Sequence, residues 1–188
     1  METTLLSFPL RLAITMASPQ AWDFIRIRIG NLYYNLDSYA RTAEVTCECQ
    51  CSGDNYAGLQ SLTVPAMVTY KGETYRVTAI GHGAFAYCGS LKSVAIPRVL
   101  TTIGAYAFYC CRNLRAVALA DGVTRIGDCA FAVCRSLASL TCLAVKPPLG
   151  EMLVFGCVDC EKVTMYVPKE SVHDYAAVKP WLDFHICS

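Results

Sequence analysis

Charge is scarce in this chain. Only 16% of its 188 residues are Asp, Glu, Lys or Arg, against 54% that are hydrophobic. A composition this apolar buries a sizeable core and does not stay disordered. The formal surplus is a single positive charge, too little for bulk electrostatic binding to nucleic acid. Beyond residue 21 no run is long and apolar enough to span a bilayer. Histidine is rare, and His82, His173 and His185 are scattered, so no Ser/His/Asp or Cys/His set for nucleophilic catalysis is visible. A G-x-x-x-x-G-K-[ST] phosphate loop is missing. Gly81-His82-Gly83 opens no long helix and reads as a corner. These gaps point away from an enzyme, and no cofactor or metal is expected.

Repetition is what the chain has instead. Ile80-Gly81, Ile103-Gly104 and Ile126-Gly127 are 23 residues apart. The same interval separates Ala84-Phe85, Ala107-Phe108 and Ala130-Phe131, then Cys88, Cys111 and Cys134, then Leu91, Leu114 and Leu137. A fixed period in this range is the mark of coils that stack. Each unit then has a physical script. Leu91-x-x-Val94-x-Ile96 is a short strand with alternate side chains inward, and Pro97 ends it. Val99 and Ile103 are read as the next inward pair. The recurrent glycine takes a positive φ or permits close backbone approach. Ala-Phe follows on a short helical turn, and the three phenylalanines form a column worth about 0.5–1.5 kcal/mol per pair beyond burial. The register is expected to fail after Cys142, where Lys146-Pro147-Pro148 interrupts it.

The flanks read differently. Residues 1–21 hold an apolar stretch followed by small residues, a possible signal peptide or a disordered tail, with Glu2, Pro9 and Arg11 against a signal. From Asp23 the pattern alternates with period two, and Gly30-Asn31 marks a hairpin. Thr42 to Cys51 alternates again, and Lys71-Gly72-Glu73 marks a second hairpin. Residues 22–77 therefore form an N-terminal β cap, 78–150 the repeats, and 151–188 a C-terminal cap. That last cap combines a final strand, Lys162 to Pro168, with a short helix, Glu170 to Val178, whose inner face is Val172, Tyr175 and Ala176.

The unit I-G-x-x-A-F-x-x-C-x-x-L-x-x-V-x-I-P resembles the BspA-type leucine-rich repeat, a family of bacterial surface proteins. Thr69-Tyr70-x-Gly72-x-x-Tyr75-x-Val77-x-x-Ile80-Gly81 is similar to the family's opening hairpin. Tyr166-Val167-Pro168-x-x-Ser171-x-x-x-Tyr175, with Trp181 and Phe184, is similar to its closing segment. The resemblance implies a β-rich, short right-handed leucine-rich-repeat solenoid with an N-terminal β-hairpin cap and a C-terminal strand–helix cap. It also implies a secreted or cell-surface protein that is non-catalytic and works in adhesion or in binding a protein or glycan. It carries over no active site. A spacer role within a surface assembly is the alternative, and a monomer is expected.

Twelve cysteines invite other readings. Cys88, Cys111 and Cys134 recur in register and read as small apolar core residues. Cys47, Cys49 and Cys51 fall on one strand face, which reads as packing, with an opportunistic disulfide second. Cys157-x-x-Cys160 has redox or metal spacing but lacks a second pair or a βαβ context, so a thiol- or metal-dependent role ranks last. Charge offers the sharper candidate. Residues 74–150 carry eight bases and two acids, so the repeats are basic between acidic flanks. Arg112 and Arg135 share one coil position, and Lys92 and Arg115 another. Together they form a candidate basic strip for an anionic partner, set against an ordinary solvated face.

Overall fold

Residues that recur in the sequence lie on top of one another in space. The structure, a computed structural model, describes residues 24–48 and 56–188. The candidate signal at 1–21, the first two residues of the N-terminal cap, Cys49 and Cys51 fall outside the described residues. The chain opens with β1 (Phe24–Ile29), β2 (Leu32–Asp37) and β3 (Thr42–Thr46), an antiparallel meander. Then come β4 (Ser61–Thr63), β5 (Met67–Tyr70), β6 (Glu73–Ile80), β7 (Ser93–Ile96), β8 (Thr102–Ile103), β9 (Ala116–Leu119), β10 (Arg125–Ile126), β11 (Ser139–Cys142), β12 (Leu149–Gly150) and β13 (Thr164–Tyr166). A 3-10 turn, Lys169–Ser171, leads into α1 (Val172–Ala176), and β14 (His185–Cys187) closes the chain.

Two sheets result. The first runs β1-β2-β3-β6-β8-β10-β12, with β5 beside β6 as an antiparallel hairpin. Lys71 at φ 49 and Gly72 at φ 80 make its turn, both in the left-handed region that two-residue hairpins demand. The second sheet runs β14-β13-β11-β9-β7-β4, all parallel. Ser93↔Ala116 and Ala116↔Ser139 keep the 23-residue offset.

A third ladder closes the coil where the sequence suggested a helical turn. The segment is a run of i→i+3 turns, such as Ala86 N–H to Gly83 C=O at 3.0 Å. Its other amides reach the next coil: Phe85, Phe108 and Phe131 N–H donate to the carbonyls of Ala107, Ala130 and Val154 at 2.7, 2.8 and 2.8 Å. Tyr87, Cys110 and Val133 do the same to Tyr109, Ala132 and Gly156. These three have φ of 62°, 60° and 63°, and Tyr106 and Cys129 have 58° and 53°. Non-glycine residues thus hold a left-handed conformation costing about 1–2 kcal/mol each, and the inter-coil bonds hold them there.

The core is the column the repeats specify. Phe85–Phe108, Phe108–Phe131 and Phe131–Phe155 stack with centroids 5.2, 5.1 and 5.6 Å apart and planes within 6°, 6° and 11°. Tyr56 covers one end at 4.8 Å, and Trp181 and Phe184 meet the other edge-on. Cys88, Cys111 and Cys134 are fully buried beside the column. Cys111 and Cys134 donate their thiols to the carbonyls of Phe85 and Phe108, one coil back, at 3.1 and 3.2 Å.

Several expectations are corrected. Val99 is 37% exposed, and Leu100 is the inward residue. The turn closed by Leu100 N–H on Pro97 C=O advances the chain by one position. Leu100 thereby stacks in the series Val77, Leu100, Val123, all buried. The register does not fail after Cys142. It slips by one residue, since Arg125 pairs with Leu149 and Ile126 with Gly150, and Phe155 rejoins the aromatic column. Gly150 stands where an inward isoleucine stood because Pro180 fills that space: an added Cβ would lie 2.5 Å from its Cδ. β13 is not the last strand, since β14 pairs with it in parallel. Ala176 faces solvent, leaving Tyr175 as the buried anchor of α1. That helix is a single turn, too short to present a broad inner face. β3 ends at Thr46, where Thr46 and Cys47 are both buried and alternation stops.

The recurrent glycines permit close approach and have no positive φ. A Cβ on Gly127 would lie 2.6 Å from the Ala105 backbone nitrogen, and one on Gly104 would lie 2.9 Å from the Gly81 carbonyl carbon. Backbone atoms cannot step aside as a side chain does. Gly127→Ala is therefore expected to cost about 1–3 kcal/mol, as overpacking does. Gly89→Ala, with nothing nearer than 3.9 Å, is expected to be neutral or slightly stabilising. Urea denaturation of both variants checks this, and equal effects at the two positions would contradict it.

Candidate functional site

Inward positions are spent on the core, so any site must lie on the outward faces. The outer face of the second sheet carries small residues at Ala95, Ala116, Ala118, Ser139, Thr141 and Thr164, with the exposed Tyr166 toward its C-terminal end.

The four candidate basic residues are all exposed. Lys92 and Arg115 directly precede β7 and β9. They are stacked coil on coil, since Arg115 N–H donates to Lys92 C=O at 2.8 Å. Ala138 continues that column, its N–H donating to Arg115 C=O, and ends the run of charge. Arg112 and Arg135 follow the buried thiols Cys111 and Cys134 on the preceding corner. Lys92 Nζ donates to Gln60 Oε1 at 3.0 Å, and Arg112 Nε to Cys110 Sγ at 3.3 Å. The ion pairs among the described residues are Arg41–Glu73, Arg98–Asp121, Arg125–Glu151 and Lys162–Asp159. None of them uses the four candidates, so their charge is not neutralised by a described acid.

Next to Cys110, the residue that Arg112 contacts, the chain brings together a cluster that the sequence reading missed. Tyr87 meets Tyr109, and Tyr109 meets Tyr106, both with centroids 5.5 Å apart and planes at 80° and 70°. His82 meets Tyr106 at 5.5 Å and 63°. Tyr87 is 54% exposed and Tyr106 40%. These rings fall on the variable positions of the unit, and no period reveals them. Large aromatics where polar residues would serve were the available signal.

The described thiols do not assemble into a reactive centre. Cys157 is exposed and Cys160 half-buried. Burial pushes the Cys160 thiol up to about 11, the opposite of an activated nucleophile. Cys142 accepts a hydrogen bond from the Tyr175 hydroxyl at 3.1 Å within the core. Among the described residues no group of three or more His, Cys, Asp or Glu is placed to hold a metal ion. His82, His173 and His185 belong to a corner, to α1 and to β14, and no helix among the described residues is long and apolar enough to cross a membrane.

The BspA type leucine rich repeat region family matches residues 55–176, in 6 copies. Among solved structures, the chain is similar to a leucine-rich repeat protein from Bacteroides ovatus, with TM-score 0.60 and 27% identity over 82% of this chain and 40% of that one. It is also similar to one from Bacteroides capillosus, with TM-score 0.58 and 25% identity over 76% of this chain and 98% of that one. A third is a leucine rich cell surface protein from Faecalibacterium prausnitzii, with TM-score 0.55 and 25% identity over 86% of this chain and 42% of that one. This chain thus spans about two fifths of the length of the first and third. No curated protein matches it.

Burial around the column also sets a pH dependence. Tyr34 is pushed up to about 12 by burial, and Tyr56 and Tyr175 are raised for the same chief reason. Cys111 is raised by the neighbouring Cys134 thiol and by burial, and Cys142 chiefly by burial. The folded state keeps these protons at a pH where the unfolded chain releases them. Stability is therefore expected to fall as pH rises from about 9 through about 11. Thermal unfolding followed by circular dichroism checks this, and a melting temperature unchanged across that window would contradict it.

Proposed function

Because this chain belongs to the BspA-type leucine-rich repeat family, we propose that it is a non-catalytic binding or adhesion module that works at a cell surface or outside the cell. In this reading residues 78–150 form a short right-handed solenoid, 22–77 its N-terminal cap and 151–188 its C-terminal cap. The unit acts as a monomer and displays its outward residues to an anionic protein or glycan. One observation carries the reading. Lys92, Arg112, Arg115 and Arg135 are exposed on adjacent coils, and no described acid pairs with them. Charges fixed at like positions of a hydrogen-bonded stack are preorganised, which lowers the entropy cost of binding. The strip spans few coils, so weak contact reinforced by multivalency fits it better than tight solitary binding.

The alternative is a spacer role within a surface assembly. A thiol-dependent role has Cys157 and Cys160 as its candidates, and the raised Cys160 thiol argues against it.

Retention on immobilised heparin separates the readings. The wild-type protein is expected to bind and to elute with salt, because exposed charges are screened. Arg112→Glu/Arg135→Glu is expected to elute at distinctly lower salt. Equal retention of the two proteins would overturn the role given to the strip and leave the spacer reading.

A further inference from the structure

We infer that the turn side of the coils carries a binding surface for an acidic saccharide, built from Tyr87, Tyr106, Tyr109 and His82 together with Arg112, three residues along the chain from Tyr109, and Arg135, its repeat one coil on. The inference rests on the binding-module reading and names the chemistry of the partner.

Four rings from two successive coils meet at steep angles, in the order His82, Tyr106, Tyr109, Tyr87. Tyr109 is half-buried at the centre, and the exposed Tyr106 and Tyr87 stand on either side of it. The rings are therefore steeply tilted against one another and not coplanar. The backbone beneath is fixed: Tyr87 N–H donates to Tyr109 C=O at 2.7 Å, and Tyr106 N–H to Asp128 C=O at 2.8 Å. Tyrosine adds only two side-chain torsions, so little freedom remains to be lost on binding.

Folding does not ask for these rings. Tyr87 and Tyr106 have φ of 62° and 58°, where glycine costs less, and Gly83 fills the position equivalent to Tyr106 one coil earlier at 61°. The coil itself sets that backbone, since Cys110, Val133 and Cys129 hold it at the equivalent positions, so an aromatic ring is one choice among several there and its exposed face is free to serve binding. The charge of the arginines decides the partner. Arg112 is pinned by Cys110 Sγ, Arg135 repeats its position one coil on, and neither is in an ion pair with a described residue. The nearby Asp128 is half-buried, and its Oδ1 accepts the Met152 N–H at 2.7 Å; it keeps its negative charge, so the acid group of a ligand belongs on the arginine side of the cluster. Ring faces select flat apolar C–H surfaces, phenol hydroxyls select hydroxyl-rich neighbours, and the arginines select carboxylate or sulfate. A sugar acid carries all three. An acidic peptide supplies the charge without the ring-stacking surface. A single-stranded nucleic acid supplies rings and charge, but it needs a basic groove that tracks its backbone, and the two arginines of this cluster are too few for one.

The test uses the full chain and three probes of similar length: polygalacturonate, polyglutamate and a single-stranded thymidine oligonucleotide. Binding is measured by biolayer interferometry. Polygalacturonate is expected to bind best. Tyr87→Gly/Tyr106→Gly is expected to weaken that binding about tenfold, the loss of a stacked ring contact, with the fold kept because glycine suits both positions. Arg112→Gln/Arg135→Gln is expected to weaken it and to flatten its salt dependence. If polyglutamate binds as well as polygalacturonate and the tyrosine variant is unchanged, the saccharide inference falls while the basic strip stands. Preference for the oligonucleotide would overturn it in favour of nucleic acid. No binding to any probe would remove the binding surface and the strip together.

Discussion

The structure depends on each coil's backbone being hydrogen-bonded to the next on three sides at once. Two of those sides are parallel β-ladders, and the third is the run of turns through Phe85, Phe108 and Phe131. A coil locked on three sides cannot rotate or slide, so every side chain must meet its own counterpart. This is why phenylalanine stacks on phenylalanine and thiol follows thiol. It is also why glycine is demanded where backbones touch: a Cβ on Gly122 would sit 1.7 Å from the Arg98 carbonyl oxygen. The constraint works on charge as well. Arg98 and Asp121 occupy the same coil position and pair at 2.7 Å, whereas two arginines there would face each other across the coil spacing.

Much of this was legible in the sequence because burial leaves a periodic record. Ile80, Ile103 and Ile126, the Ala-Phe pairs and the buried thiols all point inward, and their 23-residue recurrence reports it. What the period does not constrain was hidden. The one-residue slip between Ile126 and Gly150 conceals a further coil, because the inward isoleucine is exchanged for glycine to admit Pro180. Val99 looked inward by alternation, but a turn at Pro97 had already changed the phase. The left-handed positions were hidden for another reason. They are filled by Tyr, Cys and Val, residues that announce no turn, and only the ladder bonds explain how they are held.

The same division separates the core from the candidate site. The cysteines, the most conspicuous feature of the composition, are largely packing: six of those in the described residues are buried, and Cys111 and Cys134 donate to carbonyls one coil away. The aromatic cluster and the arginines occupy positions the fold leaves free. The four basic residues were readable from shared repeat positions. The tyrosines, at Tyr87, Tyr106 and Tyr109, come from non-equivalent positions on two coils, and only folding brings them together.

The most direct test of the three-sided lock is hydrogen exchange in the native protein, resolved by residue. The amides of Phe85, Phe108 and Phe131, which lie outside every strand, are expected to exchange as slowly as those of Val94 and Val117 within β7 and β9. Exchange of those phenylalanine amides at the rate of exposed loops, with the strands still protected, would contradict it.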